Sequence, residues 1–118
     1  MKVLVIDDHS EIRDIIKFYL RNTGIEVREC SCGNQAITIL KTGEIFDLVI
    51  SDYQMPNGNG LDVMRHLSQS EAMTAFILFT SFWGLEVPIP YAPFLGLISK
   101  NDPQKFLNAV VSLKEKLP

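Results

Sequence analysis

Cysteine is scarce in this chain, with two in 118 residues, Cys30 and Cys32 in the run ECSCG. So few excludes a disulfide scaffold and the spacing is not that of a zinc site, so reduced thiols and a cytoplasmic setting are expected. Positive charge is also short. Eleven Lys and Arg face fourteen Asp and Glu, a net charge of −3, so the chain as a whole is repelled by nucleic acid and by anionic lipid, and no direct nucleic-acid contact is expected. A membrane span is missing too: the uncharged piece Ala72 to Leu85 has 14 residues, against about 20 needed to cross a bilayer. Beyond Glu86, the apolar stretch is interrupted by Pro88, Pro90 and Pro93. The opening MKVLVIDD reaches acids too soon for a secretory signal. Internal repeats and linkers are absent.

What is present is the composition of a folded protein, 47% hydrophobic and 21% charged. The length suits a single domain over residues 1–118. Short apolar runs recur as KVLVI, IEVREC, DLVIS, AFILFT and LGLIS. Several are apolar at consecutive positions, as strands covered on both faces require. Between them, Ile12, Ile15, Ile16, Tyr19 and Leu20 form one helical stripe, with Ser10 as its expected cap and Gly24 ending the turn after it. Further helices are predicted from Asn34 to Lys41, from Gly60 to Ser68, and after Asp102 as cap with Pro103 at the first helical position. Alternating strands and helices imply an α/β fold, a doubly wound parallel sheet with helices on both faces.

In such sheets ligands bind beyond the carboxyl ends of the strands. Asp7 and Asp8 come after the first strand, Asp52 after the third and Lys100 after the fifth, while Thr80 ends the fourth. Each is ordinary taken singly: an Asp in a strand-to-helix turn, a Thr in a strand, a Lys in a loop. Together they are not. Two carboxylates about 4 Å apart repel by about 4 kcal/mol at an effective dielectric of about 20, so positive charge has to sit among them. Lys100 supplies one, and a divalent cation offsets the rest. Carboxylate, carbonyl and water ligands suit Mg²⁺ better than Zn²⁺. An Asp beside such charge is equipped to attack phosphorus and form an acyl phosphate.

The runs VIDDHSEIR, LVISDYQMPNGNGLDVM, ILFTS and LISK resemble, in order and spacing, the receiver domains of bacterial two-component response regulators, and the resemblance covers nearly the whole chain. It implies five strands in the flavodoxin-like order 2-1-3-4-5. It also implies that Asp52 is the phosphoacceptor and Asp8 a direct Mg²⁺ ligand, with Asp7 holding the metal through water and the backbone carbonyl of Gln54 completing the protein ligands. Thr80 and Lys100 would hold the phosphoryl oxygens. The implied function is a signalling switch in a phosphorelay, fed by a sensor histidine kinase or a histidine phosphotransfer protein. The only chemistry implied is Mg²⁺-dependent self-phosphorylation and autodephosphorylation, so it is not an enzyme. The first helix of such domains meets the kinase, which gives the basic stripe Arg13, Lys17 and Arg21 two readings, a docking face or a solvated one. His9 is expected at the surface.

Three features depart from the family. Asn101 stands where a proline follows the lysine, and a cis bond there would cost about 2.5–4 kcal/mol. Leu97 replaces the switch aromatic. The segment SFWGLEVPIPYAPFLG replaces the fourth helix, because each internal proline costs about 3 kcal/mol. Its apolar residues are read either as a non-helical cover over the last two strands or as a surface, Phe82 to Phe94, for self-association or an effector domain. These departures keep an alternative open, a pseudo-receiver that binds proteins without phosphate. A dehalogenase-type phosphatase would want acids two apart, and a flavodoxin-like carrier would not place two acids at its phosphate loop.

Overall fold

The consecutive apolar runs do become strands. In the computed structural model, which describes residues 1–70, 72–81, 86, 87, 91 and 94–117, these are Lys2–Ile6 (β1), Glu26–Cys30 (β2), Leu48–Ser51 (β3), Ala75–Thr80 (β4) and Phe94–Ser99 (β5). They form one parallel sheet in the order β2-β1-β3-β4-β5. The three inner strands are buried almost throughout, which is why they carry no polar alternation. Edge strand β2 instead exposes Glu26 and Glu29 with Arg28, charges that discourage pairing with another chain.

Alternation along each strand then sorts the core into two layers. Val3 and Val5 pack with Ile16 of Ser10–Leu20 (α1) and, further along the chain, with Phe106 and Val110. Leu4 and Ile6 face the other way, toward Ala36 of Gly33–Lys41 (α2) and Met64 and Leu67 of Gly60–Ser68 (α3). Pro103–Lys116 (α4), which carries Phe106 and Val110, completes four helices among the described residues.

The helix starts obey local chemistry. The Asn59 side chain accepts from the Asp62 amide while the Asp62 carboxylate accepts from the Asn59 amide, a closed capping box for α3. Asp102 accepts from the Lys105 amide ahead of Pro103, as expected for α4. At α1 the expectation needs correction: Ser10 is already helical, and the cap is His9, whose side chain makes no capping bond. The His9 amide is held instead by Asp7 Oδ1 at 2.9 Å. Helix α2 begins one residue early, at Gly33, because the Gly33 and Asn34 amides donate to the carbonyls of Gly58 and Asn57. Ile15, expected inside, is exposed, whereas Ile39 is buried.

Between β4 and β5, residues Phe82, Trp83, Leu85, Pro88, Ile89, Pro90 and Pro93 lie outside the described residues, and with them most of the surface expected for self-association. Val87, Tyr91 and Phe94 lie against the core on the α2 and α3 side, as the covering reading expects, and the Tyr91 hydroxyl donates to the Thr74 carbonyl. Register slips where β5 begins: Phe76 pairs with Phe94 but Ile77 pairs with Gly96, so Leu95 bulges out. Gly96 takes φ +123°, a region open chiefly to glycine. No helix among the described residues is long and apolar enough to cross a membrane.

Candidate functional site

Backbone pairing itself carries the polar residues to one edge of the sheet. The Asp7 amide extends the β1 ladder by one rung to the Cys30 carbonyl, at 3.2 Å. The Asp52 amide does the same toward Ile6, at 3.0 Å, and the Lys100 amide toward Thr80, at 3.1 Å. Thr80, the last residue of β4, is buried there. Parallel strands all end on the same side, so residues 7, 52, 80 and 100 meet although the chain separates them widely.

Lys100 is the hub of the cluster. Its Nζ lies 2.9 Å from Asp7 Oδ2 and 2.8 Å from Asp52 Oδ2, and all three side chains are largely shielded from water. Burial alone would depress the ammonium pKa, but the hydrogen bonds to Asp52 and Asp7 outweigh it and hold the value above the ordinary one, so Lys100 stays charged. The other oxygens are met by backbone: Asp52 Oδ1 accepts the Tyr53 amide at 2.7 Å, and Asp7 Oδ1 that of His9. Two carboxylates sharing one ammonium leave the third without compensation. Asp8 Oδ1 is buried and accepts no hydrogen bond from any described residue. The His9 ring nitrogen is 3.3 Å away but is not aligned to donate.

Asp7, Asp8 and His9 offer one atom each within 4.8 Å of one another, the grouping of possible metal ligands found among the described residues. An uncompensated carboxylate oxygen in an oxygen-rich set fits a hard divalent cation, which takes such ligands readily. Gln54 lies two residues past Asp52, exposed in the loop that leads to α3. His9, expected as a surface residue, is exposed yet reaches both Asp7 and Asp8 at 3.3 Å. Arg13, read from the sequence only as part of the basic stripe, makes a contact that reading did not foresee: its Nη1 donates to the Asp7 carbonyl at 2.5 Å. Nothing in helix periodicity points to that contact, since it joins a helix face to the end of a strand.

Residues 3–89 match the family model of the response regulator receiver domain. The chain belongs to that family. It is 36% identical over 74 residues to chemotaxis protein CheY-3 of Vibrio cholerae, covering 62% of this chain and 56% of that protein. Response regulator UvrY of Escherichia coli is 33% identical over 120 residues, 96% of this chain and 54% of that protein. The chain thus spans about half the length of these curated relatives. Among solved structures, response regulator TrrA of Thermotoga maritima, in complex with Mg²⁺ and BeF, superposes with TM-score 0.82 at 26% identity, covering 95% of this chain and 97% of that one. A receiver domain from Clostridium thermocellum gives TM-score 0.79 at 29% identity, covering 95% and 92%.

Within this receiver domain the basic stripe of α1 is not a free patch. Arg13 Nε and Lys17 Nζ both bind Glu29 on β2, at 3.1 and 2.9 Å, and Arg21 lies 3.6 Å over the Phe18 ring. The bond from Lys17, against a smaller cost of burial and helped by Arg13, holds the Glu29 carboxyl below its ordinary pKa. Leu97, at the place of the family's aromatic, is half-buried and packs on the α2 and α3 side of the core.

Proposed function

We propose that this receiver domain is a phosphorylatable switch that accepts a phosphoryl group on Asp52. The observation that carries the reading is one of charge. Lys100 bridges Asp7 and Asp52, while Asp8 keeps a buried oxygen with no hydrogen bond from any described residue. Asp7, Asp8, Asp52 and the Gln54 carbonyl would hold Mg²⁺. When bound, the metal supplies positive charge for the phosphoryl oxygens. A carboxylate oxygen of Asp52 attacks phosphorus, the bond to the donor's leaving group breaks, and that group departs with its electron pair. Lys100, already charged and aimed at Asp52, transfers part of its pairing to the incoming oxygens. The hydroxyl of Thr80 donates to one of them. Water later hydrolyses the acyl phosphate, releasing inorganic phosphate and restoring the Asp52 carboxylate. No second substrate is turned over, so the domain is a switch rather than an enzyme.

The donor class is a phosphohistidine on a sensor kinase or phosphotransfer protein, and the output is an effector domain or a partner, in the cytoplasm. The free thiols of Cys30 and Cys32 support that setting. The test is intact mass after incubation with Mg²⁺ and a small phosphodonor. One added phosphoryl group is expected, absent in Asp52→Asn. A native protein left unlabelled at saturating donor and metal would move the reading to a phosphate-independent binding module.

A further inference from the structure

The ladder between β1 and β2 ends at the Asp7 amide, one rung short of the Asp7 carbonyl. Their parallel register, Ile6 opposite Cys30, would next have the Asp7 carbonyl accept from the amide of residue 32. The chain turns away at Cys30 instead, toward α2, and Cys32 becomes that helix's cap. Arg13 takes the vacated place, its Nη1 donating to the Asp7 carbonyl while its Nε is gripped by Glu29. A carbonyl oxygen lies in the plane of its peptide, and that plane holds the Cα atoms of both Asp7 and Asp8. Fixing the oxygen therefore fixes the direction from which both carboxylates project. The Asp7 amide is pinned on the other side by Cys30, so the peptide planes before and after Asp7 are each tied down.

We infer that Arg13 is a positioning residue for the metal-binding acids, held in place by Glu29; the inference rests on the proposal that Asp7 and Asp8 bind Mg²⁺. A guanidinium suits the task because its planar fork serves two acceptors at once, which a lysine ammonium on a flexible stem does not reproduce. Charge and geometry make opposite demands here. As a mere cation beside the acids, Arg13 repels Mg²⁺, and its removal tightens metal binding. As a positioning residue it orients the ligands, and its removal weakens binding.

Calorimetric titration with Mg²⁺ alone, at fixed pH and ionic strength, separates the two for the native protein, Arg13→Gln, Arg13→Lys and Lys17→Gln. About tenfold weaker binding is expected for both Arg13 variants, the loss usual when a residue behind a metal ligand is removed. Lys17→Gln, which removes a neighbouring cation of the same Glu29 without touching Asp7, should stay within about twofold of native. Amide resonances of Asp8 and His9 in the metal-free protein should shift in the Arg13 variants and not in Lys17→Gln. Equal or tighter Mg²⁺ binding by Arg13→Gln, or equal losses in Arg13→Gln and Lys17→Gln, would overturn the inference. A native protein that binds no Mg²⁺ would overturn the metal reading beneath it, so the two failures are told apart.

Discussion

Gly33 donates its amide to the Gly58 carbonyl at 2.9 Å, and neither glycine has room for a methyl group. A β-carbon on Gly33 would lie 2.7 Å from the Gly58 backbone, and one on Gly58 would lie 2.7 Å from the Asn34 amide. The loop after Asp52 and the start of α2 are thus in backbone contact, the loop's carbonyls capping the helix. Gly33→Ala is expected to destabilise by about 2 kcal/mol through overpacking. Gly58→Ala should cost more, since its φ of +101° adds backbone strain. Gly43→Ala is the control: φ is +88° but nothing lies within 4 Å, so only the strain remains, about 1–2 kcal/mol. Urea unfolding should rank Gly58→Ala as the worst of the three, Gly33→Ala next and Gly43→Ala mildest.

Lys100→Met should destabilise the metal-free protein by roughly 3 kcal/mol, because it strands two shielded carboxylates that now share one ammonium. Added Mg²⁺ should narrow the gap to native by restoring positive charge. Thermal melts with and without metal check this, and a variant as stable as native in metal-free buffer would contradict it.

Asp8→Ala should act in the opposite sense. It removes a buried oxygen left without a hydrogen bond among the described residues, so the metal-free protein should gain about 1 kcal/mol. The rise in melting temperature with Mg²⁺, expected of a ligand that binds only the folded state, should disappear. Retention of the native metal response would remove Asp8 from the ligand set.

Cys30 should resist thiol reagents in the folded state. Burial, then the neighbouring Cys32, push its pKa up to about 12, leaving a thiolate fraction on the order of 10⁻⁴ at pH 8. Cys32 is half-buried and should react first. Mass-resolved labelling should show one fast modification, at Cys32, and a second only on unfolding.

The sheet was legible because its determinants are local. Consecutive apolar residues in KVLVI, LVIS and AFILFT mean burial on both faces, and the helical stripes between the first four strands force crossovers, so those strands must run parallel with their carboxyl ends on one side. That geometry is why Asp7, Asp52 and Thr80 are legible in the sequence as one edge of the sheet, with Lys100 joining them after the fifth apolar run. Even the start of α4 was written in Asp102 and Pro103, since a cap involves only neighbours. What tertiary structure alone decided depends on groups far apart in the chain. Ser10 is chemically fit to cap α1, yet the Asp7 carboxylate holds His9 and starts the helix there. Arg13 and Lys17 look like a solvated stripe until β2 brings Glu29 beside them. The Gly33 and Gly58 contact, like the bulge at Leu95, arises from how close two backbones come, a distance no residue encodes by itself.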